Sequence, residues 1–337
     1  MTRRALVVEQ PGSLALRRRA SLEPGPGEVV VRPAYCGLCG SDVELVRGEV
    51  DAAFVGYPLT LGHEWSGTIG AVGAGVSRLR PGQRCVGEGI VPCGRCASCL
   101  AGATNVCDTY DELGFTREGA AGDEVLVPAR IVHVLADSVP LLDAALVEPA
   151  AVVLTGLEKA APRPDSRVLV IGDGTIGLLA AMLVALWSPR EIAMVGRRAE
   201  QEELARVLGV TSFRVDSPAG PPSDLVIEAA GSSAAIEAAV GATRRGGTTL
   251  LLGLPPTGAT VTLPADLLVN NDLTIAASFG YTSSIWARVV ELLNGGRIAP
   301  GRIVTHRYPL EAFVQAFETL TSSTGRRGKV ILEVAGG

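Results

Sequence analysis

The chain has 337 residues, a formal net charge of −5, 47% hydrophobic residues and 19% charged residues. This composition predicts a folded globular protein long enough for two domains, and it excludes an intrinsically disordered chain. The mild negative charge argues against nucleic acid as the main partner, because phosphate binding requires a basic surface.

The hydropathy pattern predicts no membrane segment and no signal peptide. The longest apolar run, residues 176–187, is shorter than the roughly 18 residues that a transmembrane helix needs, and it predicts a buried helix. Residues 1–9 carry two arginines but too short an apolar stretch for a signal peptide, so we expect a cytoplasmic protein. In a reducing compartment, the seven cysteines indicate metal binding rather than disulfides.

The first part of the chain predicts a β-rich, barrel-like domain. Short apolar runs at residues 28–32, 68–72 and 124–128 lie between turn signals, and helical patterns are scarce. We assign residues 1–148 and 280–337 to this domain. Its later part predicts helices at 284–293 and 310–320 and a last strand at 329–334.

Residues 149–279 predict a second domain with a doubly wound parallel sheet, because strand and helix patterns alternate there. The fold class is therefore α/β. The predicted strands are 168–171, 191–195, 224–228 and 248–252, and the predicted helices are 175–186, 200–208 and 233–243.

Four cysteines form a compact metal-ligand pattern: Cys93, Cys96, Cys99 and Cys107. Four thiolates on a short loop suit a tetrahedral zinc with sulfur at about 2.3 Å and no open position, which is a structural site. Four unrelated buried thiols and an iron–sulfur cluster are the alternatives.

A dinucleotide-binding fingerprint follows the first strand of the second domain. Its residues are Gly172, Asp173, Gly174, Thr175, Ile176 and Gly177. The glycines allow a tight turn and the approach of a pyrophosphate to a helix N-terminus. A plain glycine turn is the alternative.

Further candidate ligands are scattered along the chain: Cys39 before Ser41 and Asp42, then His63 with Glu64, and then Glu148 before Pro149. Their spacing alone does not connect them, and His63 taken alone fits a core histidine.

The order of these motifs resembles the zinc-containing medium-chain dehydrogenase/reductase family over essentially the whole chain. The resemblance implies a GroES-like β-rich catalytic domain, a Rossmann domain and a catalytic zinc in a cleft between them. It also implies that the chain is an enzyme, a zinc-dependent alcohol dehydrogenase with two zinc ions and a nicotinamide dinucleotide. The four-cysteine segment argues against the zinc-free quinone reductases of the same superfamily.

The resemblance assigns roles to individual residues. Cys39, His63 and Glu148 match the catalytic zinc ligands, and Glu64 matches a glutamate that binds the metal in some resting states. A three-ligand zinc keeps one position open for water or alcohol. Ser41 matches the hydroxyl that passes the alcohol proton outwards, Asp42 the carboxylate that orients the histidine ligand, and Lys329 a basic residue that contacts the pyrophosphate.

Two departures from the family pattern concern the substrate. Glu44 stands where many relatives continue the proton path with histidine, so it either faces the substrate or is solvated. Gly89 stands where simple alcohol dehydrogenases often carry an aromatic residue, which suggests a wider site. Together with Glu148, these residues suggest a ring alcohol of an amino-sugar or aminocyclitol.

The cofactor prediction leans towards NADP. NAD-preferring folds usually carry an acidic residue at the end of the second strand, and this chain has Arg197 and Arg198 there instead. A guanidinium can bind a 2′-phosphate through charge-assisted hydrogen bonds. Solvated arginines with NAD bound are the alternative.

The sequence thus predicts oxidation of a secondary alcohol on a sugar, cyclitol or amino-sugar. The stretch 63–67 with Glu148 most resembles dehydrogenases of aminocyclitol and aminoglycoside biosynthesis. A sorbitol, threonine or butanediol type of dehydrogenase is the first alternative, and a dinucleotide-binding protein without turnover is the second. We expect a small-molecule substrate, no nucleic acid or membrane partner, and a homo-oligomer, either dimer or tetramer.

Overall fold

A computed structural model describes residues 2–109 and 111–334. The strands are β1 (Thr2–Gln10), β2 (Ser13–Ala20), β3 (Glu28–Leu38), β4 (Leu59–Thr60), β5 (Glu64–Val72), β6 (Arg84–Gly87), β7 (Val125–Pro128), β8 (Val132–Val134), β9 (Arg167–Ile171), β10 (Glu191–Gly196), β11 (Ser212–Val215), β12 (Ser223–Glu228), β13 (Thr243–Leu251), β14 (Thr274–Ala277), β15 (Val304–Pro309) and β16 (Lys329–Glu333). The α-helices are α1 (Gly40–Arg47), α2 (Ala97–Leu100), α3 (Leu141–Ala144), α4 (Val147–Ala160), α5 (Thr175–Val184), α6 (Glu202–Val207), α7 (Ser233–Ala242), α8 (Ala265–Asn270), α9 (Ser283–Asn294) and α10 (Phe313–Thr321).

The chain forms two compact units. The first comprises Met1–Glu148, Thr282–Ser322 and Lys329–Gly337, and the second comprises Pro149–Tyr281 and Ser323–Gly328. The sequence-based boundary placed Ser323–Gly328 with the first domain instead. The segment groups with the second unit because Arg327 exchanges two hydrogen bonds with Gln201, at 2.9 and 2.8 Å.

The first unit is built on β-sheet. Its larger sheet has the order β15-β16-β3-β5-β6-β8, with β7 also paired to β3, and a small sheet has the order β2-β1-β4. The long strand β3 is central because its Val-rich first half pairs with both β5 and β7, while its second half pairs with β16. Fully buried side chains such as Trp65, Val29 and Leu113 form one core, and Leu6 and Leu38 lie in a second.

The second unit is a parallel sheet of order β11-β10-β9-β12-β13-β14. Strands β9 and β12 are central and carry continuous buried Val, Leu and Ile runs, as expected for parallel strands covered on both faces. Helix α5 starts four residues after β9 ends and is almost wholly buried. The C-terminal end of β9 and the N-terminus of α5 therefore lie at the carboxyl-terminal ends of the parallel strands, where α/β folds bind ligands.

The structure confirms the fold class and the predicted elements at the level of type. The predicted helices 200–208 and 310–320 each begin with a 3₁₀ turn, Ala199–Gln201 and Leu310–Ala312, before the α-helix starts. The sequence analysis did not name β1, β2, β4, β6, β8, β11, β14 or β15. Strands β2, β11 and β14 are largely exposed or half-buried, so their apolar alternation is weak.

Within residues 2–109 and 111–334, no helix has the length and apolarity needed to cross a bilayer.

Candidate functional site

Residues 93–107 carry four cysteines and are called the four-cysteine lobe. The four thiols converge around one point. The ligand atoms of Cys93, Cys96, Cys99 and Cys107 all lie within 4.8 Å of one another. Sγ of Cys93 is 4.0 Å from Sγ of Cys99, and Sγ of Cys96 is 3.9 Å from Sγ of Cys107. These separations exclude disulfide bonds and are close to the edge of about 3.8 Å expected for a ZnS₄ tetrahedron with sulfur at about 2.3 Å.

The backbone of this lobe favours thiolates. The amide N–H groups of Arg95 and Cys96 donate to Sγ of Cys93 at 3.5 and 3.4 Å, and these bonds lower the pKa of that thiol to about 6. The N–H of Cys99 donates to Sγ of Cys96 at 3.4 Å. Since a metal binds thiolates, this N–H···S pattern suits a four-sulfur metal site.

Helix α1 positions the first candidate ligand of the second cluster. Cys39 is the N-cap of α1, and its backbone N–H donates to Oδ2 of Asp42 at 2.8 Å. Asp42 is fully buried, and its other oxygen, Oδ1, has no hydrogen bond in the described part of the chain. That oxygen lies 3.8 Å from Nδ1 of His63, which is also without a hydrogen-bond partner there.

A glycine with positive φ places His63. Gly62 has φ +105°, and a Cβ at this position would lie 2.6 Å from Sγ of Cys36 and 2.7 Å from the backbone N of Ala121. Only glycine fits this left-handed, crowded conformation without a shift of its neighbours. The following residue, His63, is therefore held close to the N-terminus of α1.

Cys39, His63 and Glu64 form a second compact cluster, with ligand atoms within 4.8 Å of one another. Burial raises the pKa of the Cys39 thiol, but the hydrogen bond and charge of His63 outweigh burial and leave that pKa lowered. Burial opposes the charged imidazole, whereas Cys39 and Asp42 raise the pKa of His63 well above its usual value. Sulfur, nitrogen and carboxylate donors with unsatisfied buried atoms nearby fit a zinc ion.

Glu64 also forms a buried ion pair. Nζ of Lys329 lies 2.5 Å from Oε1 of Glu64, and the two side chains are 2% and 1% exposed. The sequence analysis predicted that Lys329 contacts the pyrophosphate. That contact stays a prediction; the structure places the ammonium against Oε1 of Glu64, and Oε2 of Glu64 has no hydrogen bond among the described residues.

Glu148 lies near the cluster but outside its 4.8 Å group. Its carboxyl is buried, and burial raises its pKa well above the usual range, while His63 opposes the shift. Glu64, Cys39 and Glu112 add like-charge repulsion in the same direction.

The two other predicted polar residues of α1 differ in burial. Ser41 is half-buried in the first turn of the helix. Glu44 is exposed, and burial of part of its side chain, together with the charge of Glu49, raises its pKa. The structure therefore does not bring Glu44 together with His63.

Sequence reasoning missed Glu112, a buried carboxyl that interacts electrostatically with His63 and Asp42. Burial raises its pKa to about 7. It follows Asp111 in an ordinary polar turn sequence, so no spacing rule singled it out. His133, which matched no ligand position, bonds to the buried carboxylate of Glu88 at 3.0 Å, a structural contact.

The glycine fingerprint forms an open turn at the start of α5. Gly172 has φ +119°, and a Cβ on Gly177 would lie 1.9 Å from the carbonyl oxygen of Gly172, so these two glycines close the turn. A Cβ on Gly174 would meet nothing within 4 Å. Gly174 is the N-cap of α5 and offers no side-chain cap, so the first N–H groups of Thr175 and Ile176 remain available for a phosphate.

The carboxylate of Asp173 explains why β10, the second strand of the Rossmann unit, ends in a glycine, Gly196. Its Oδ2 accepts hydrogen bonds from the backbone N–H groups of Arg197 and Arg198, both at 3.2 Å. A Cβ on Gly196 would lie 2.7 Å from this carboxylate. The guanidinium of Arg198 pairs with Asp173 at 3.0 Å, with both side chains 10% exposed, whereas Arg197 is exposed.

Comparisons with known proteins agree with this geometry. Residues 25–137 match the family model "Alcohol dehydrogenase GroES-like domain". Residues 143–332 match the model "Glucose dehydrogenase C-terminus". The chain therefore belongs to the zinc-dependent medium-chain family of alcohol and polyol dehydrogenases.

Individual relatives span nearly the full chain. A sorbitol dehydrogenase from Gallus gallus is 34% identical over 95% of this chain and 94% of its own. An L-threonine 3-dehydrogenase from Cutibacterium acnes is 33% identical, over 91% and 92%. A putative zinc-binding dehydrogenase from Sinorhizobium meliloti, solved with NADP, is 27% identical and superposes with a TM-score of 0.93 over 99% of both chains. The chain is thus a zinc-dependent, NAD(P)-dependent alcohol dehydrogenase.

Proposed function

We propose that the chain oxidises a secondary alcohol of a small polyol to a ketone and transfers the hydride to a nicotinamide dinucleotide. The observation that carries the proposal is the buried cluster of Cys39, His63 and Glu64 with Glu148 beside it. The chain that carries this carboxylate-containing cluster is also 34% identical to a sorbitol dehydrogenase, which supports a polyol substrate.

Two zinc sites are part of the proposal. Cys93, Cys96, Cys99 and Cys107 would hold a structural ion, since four sulfur donors leave no open position. Cys39, His63 and Glu148 would hold the catalytic ion, with Glu64 or water as the fourth ligand. When bound there, zinc stabilises the alkoxide form of the alcohol and so lowers the pKa of its hydroxyl.

The chain's own residues prepare the site for this ion. Asp42, anchored by the backbone of Cys39, faces Nδ1 of His63, so Nε2 is the ring nitrogen that would bind the metal. Lys329 fixes the position of Glu64 through their buried ion pair. Ser41, half-buried at the start of α1, is the proposed acceptor of the alcohol proton.

The relatives favour the sorbitol and threonine type over the aminocyclitol type that the sequence suggested. The Gallus gallus and Cutibacterium acnes enzymes are named for sorbitol and L-threonine, and neither is named for an aminocyclitol. The exposure of Glu44 removes one of the arguments for an amino substrate. Gly89 stays in the proposal as a position that gives room to a larger substrate.

We propose NADP as the preferred cofactor, with Arg197 as the residue that meets the 2′-phosphate. Arg198 is engaged by Asp173, so its charge is already compensated. Arg197 follows directly after β10 and is exposed. The fingerprint residues Gly172, Gly174, Thr175, Ile176 and Gly177 would hold the pyrophosphate.

We also propose a homodimer that forms through the second unit. Strand β14 lies at the edge of its sheet, and Ile275 on it is 39% exposed. Leu254 and Val269 are each 79% exposed. Exposed sheet edges with apolar neighbours favour strand pairing with another copy. A cytoplasmic location stays a prediction.

A substrate screen tests the proposed reaction. Purified enzyme with zinc is assayed with NAD and with NADP against sorbitol, arabinitol, butane-2,3-diol, L-threonine and an aminocyclitol, with nicotinamide absorbance as the readout. Turnover of polyols with specificity constants above that of the aminocyclitol is the expected result. An enzyme that oxidises only the aminocyclitol would contradict the proposal.

A further inference from the structure

The turn that follows the four-cysteine lobe packs directly on the metal-ligand cluster. A Cβ on Gly114 would lie 2.9 Å from the backbone N of Gly62 and 3.5 Å from that of His63. The ring of Phe115 lies 5.4 Å from the ring of His63, tilted by 56°. Residues 112–117 therefore form one wall beside the candidate catalytic site.

The backbone of Glu112 is firmly fixed in this wall. Its N–H donates to Oγ1 of Thr116 at 2.7 Å, and its carbonyl accepts the N–H of Arg117 at 2.9 Å. On the other side it forms an antiparallel bridge with Ile90, next to Gly89. None of these contacts involves the side chain of Glu112. They fix its backbone, and they form no bond to its carboxyl.

The carboxyl of Glu112 has no hydrogen bond or ion pair with any described residue, and its oxygens keep slight access to solvent although the residue is only 8% exposed. Its neighbours along the chain differ. Asp111 pairs with Arg117 at 2.8 Å, and Glu118 pairs with Arg19 at 2.6 Å. The charged groups near enough to act on Glu112 are instead His63, Asp42 and Glu148 of the candidate site.

A largely buried carboxyl without a protein partner destabilises a fold, because most of the hydration that it loses is not replaced. Buried polar groups without protein partners are rare, and a binding site is one setting where they persist. Here the turn that carries the carboxyl packs on the ligand cluster through Gly114 and Phe115. The missing partner is therefore expected to come from the substrate.

We propose that Glu112 binds a second hydroxyl group of the substrate, on the carbon next to the carbinol that is oxidised. This inference rests on the polyol function proposed above and names the group that the site selects. A carboxyl accepts a hydrogen bond from a hydroxyl in either ionisation state. Sorbitol offers such a neighbouring hydroxyl, whereas L-threonine offers an ammonium in the same position, and both are hydrogen-bond donors.

A matched series of substrates tests the proposal and separates these two donors. The series is butan-2-ol, butane-2,3-diol and 3-aminobutan-2-ol, which differ only at the neighbouring carbon. Zinc-loaded wild type, Glu112→Gln and Glu112→Leu are compared by kcat/KM for oxidation and by the inhibition constant of each compound against the best polyol. Glu49→Gln, an exposed glutamate without a side-chain partner among the described residues, is the matched control.

The expected result is a wild-type preference for the diol over the mono-alcohol that Glu112→Leu reduces about tenfold or more. Glu112→Gln keeps an acceptor oxygen and should reduce the ratio less, about threefold to tenfold. Glu49→Gln should leave the ratio unchanged. Thermal unfolding at pH 8 should show both Glu112 variants at least as stable as wild type, because no side-chain partner is lost.

Other outcomes overturn the inference. An unchanged diol ratio in Glu112→Leu would overturn it, as would a loss of stability in both variants with the ratio intact. A preference for the amino-alcohol that Glu112→Gln abolishes would overturn the hydroxyl assignment in favour of an ammonium. If wild type oxidises no polyol at all, the proposed function fails first, which distinguishes that failure from the failure of the Glu112 assignment.

Discussion

Nζ of Lys329 lies 2.5 Å from Oε1 of Glu64, and this ion pair connects the start of β16 to the start of β5 in an almost fully buried position. A Cβ on Gly37, in β3 between them, would lie 2.4 Å from Oε2 of Glu64 and 2.9 Å from Cε of Lys329. The missing side chain at Gly37 therefore makes the space that the pair fills. Each partner compensates a charge that the other would leave buried.

Replacement of Lys329 by Met should destabilise the fold by about 3–5 kcal/mol, because Glu64 is left as an uncompensated buried charge. The double variant with Lys329→Met and Glu64→Leu should recover most of that loss, since both charges are gone. Urea unfolding of the wild type, both single variants and the double variant gives the coupling free energy. A cost below about 1 kcal/mol for Lys329→Met would contradict the role assigned to this pair.

The two metal clusters should lose zinc independently. Cys96→Ser should lower the zinc content from two ions per chain to one and lower thermal stability, because a structural ion contributes to folding. His63→Ala should also lower it to one ion, but it should abolish turnover with the thermal transition largely retained. Metal analysis with kinetics on the same samples decides both outcomes.

Cys85→Ala is the matched control for the zinc count. Cys85 is a buried thiol outside both clusters, and burial raises its pKa to about 12, so it should not bind metal. This variant should keep two ions per chain. A wild type that binds a single ion, or a His63→Ala variant that keeps two ions and full activity, would contradict the assignment.

Cofactor choice should depend on Arg197. Arg197→Ala should raise KM for NADP by about ten- to a hundredfold, the loss of a charge-assisted hydrogen bond of roughly 1.5–3 kcal/mol, and leave KM for NAD nearly unchanged. Arg198→Ala should weaken the binding of both cofactors, because it removes the ion pair that helps to fix Asp173 in the fingerprint turn. Arg206→Ala, an exposed arginine paired with Glu202, is the control. A wild-type enzyme with a clear NAD preference would show that the NADP prediction is wrong.

The sequence predicted the fold class because its signals are local and periodic. The Val-rich β9, the glycine turn and the apolar α5 form one contiguous stretch, and the four-cysteine lobe lies within fifteen residues. Local spacing cannot report which buried groups meet through long-range packing. The pairing of Glu64 with Lys329 joins residues 265 positions apart, so no motif could reveal it.

The same limit explains why the sequence analysis named Glu44, and not Glu112, as a carboxylate near the candidate site. Glu44 is close to Ser41 along the chain, yet the pitch of α1 turns it to the exposed side while Asp42 and Leu45 are buried. Glu112 is far from His63 in sequence, and only the packing of Gly114 on Gly62 brings its turn to the site. Sequence proximity therefore points to Glu44, whereas burial and packing point to Glu112.

Glu112 should make stability depend on pH. Burial raises its folded pKa from 4.5 to about 7, so between these values the folded state binds more protons than the unfolded state. The free energy of unfolding of the wild type should therefore fall as pH rises from about 5 to 8, relative to Glu112→Gln, which has no such proton. His63, Asp42 and Glu148 also act on this carboxyl, but they are present in both proteins, so the difference in the free energy of unfolding isolates Glu112.

The wild type and Glu112→Gln should be similarly stable at pH 5, and Glu112→Gln should be the more stable at pH 8 by roughly 3 kcal/mol at most. Urea unfolding at the two pH values, with the zinc content checked at each, provides the measurement. A difference that is independent of pH would mean that the carboxyl is already compensated in the folded enzyme, contrary to its unpartnered position in the structure.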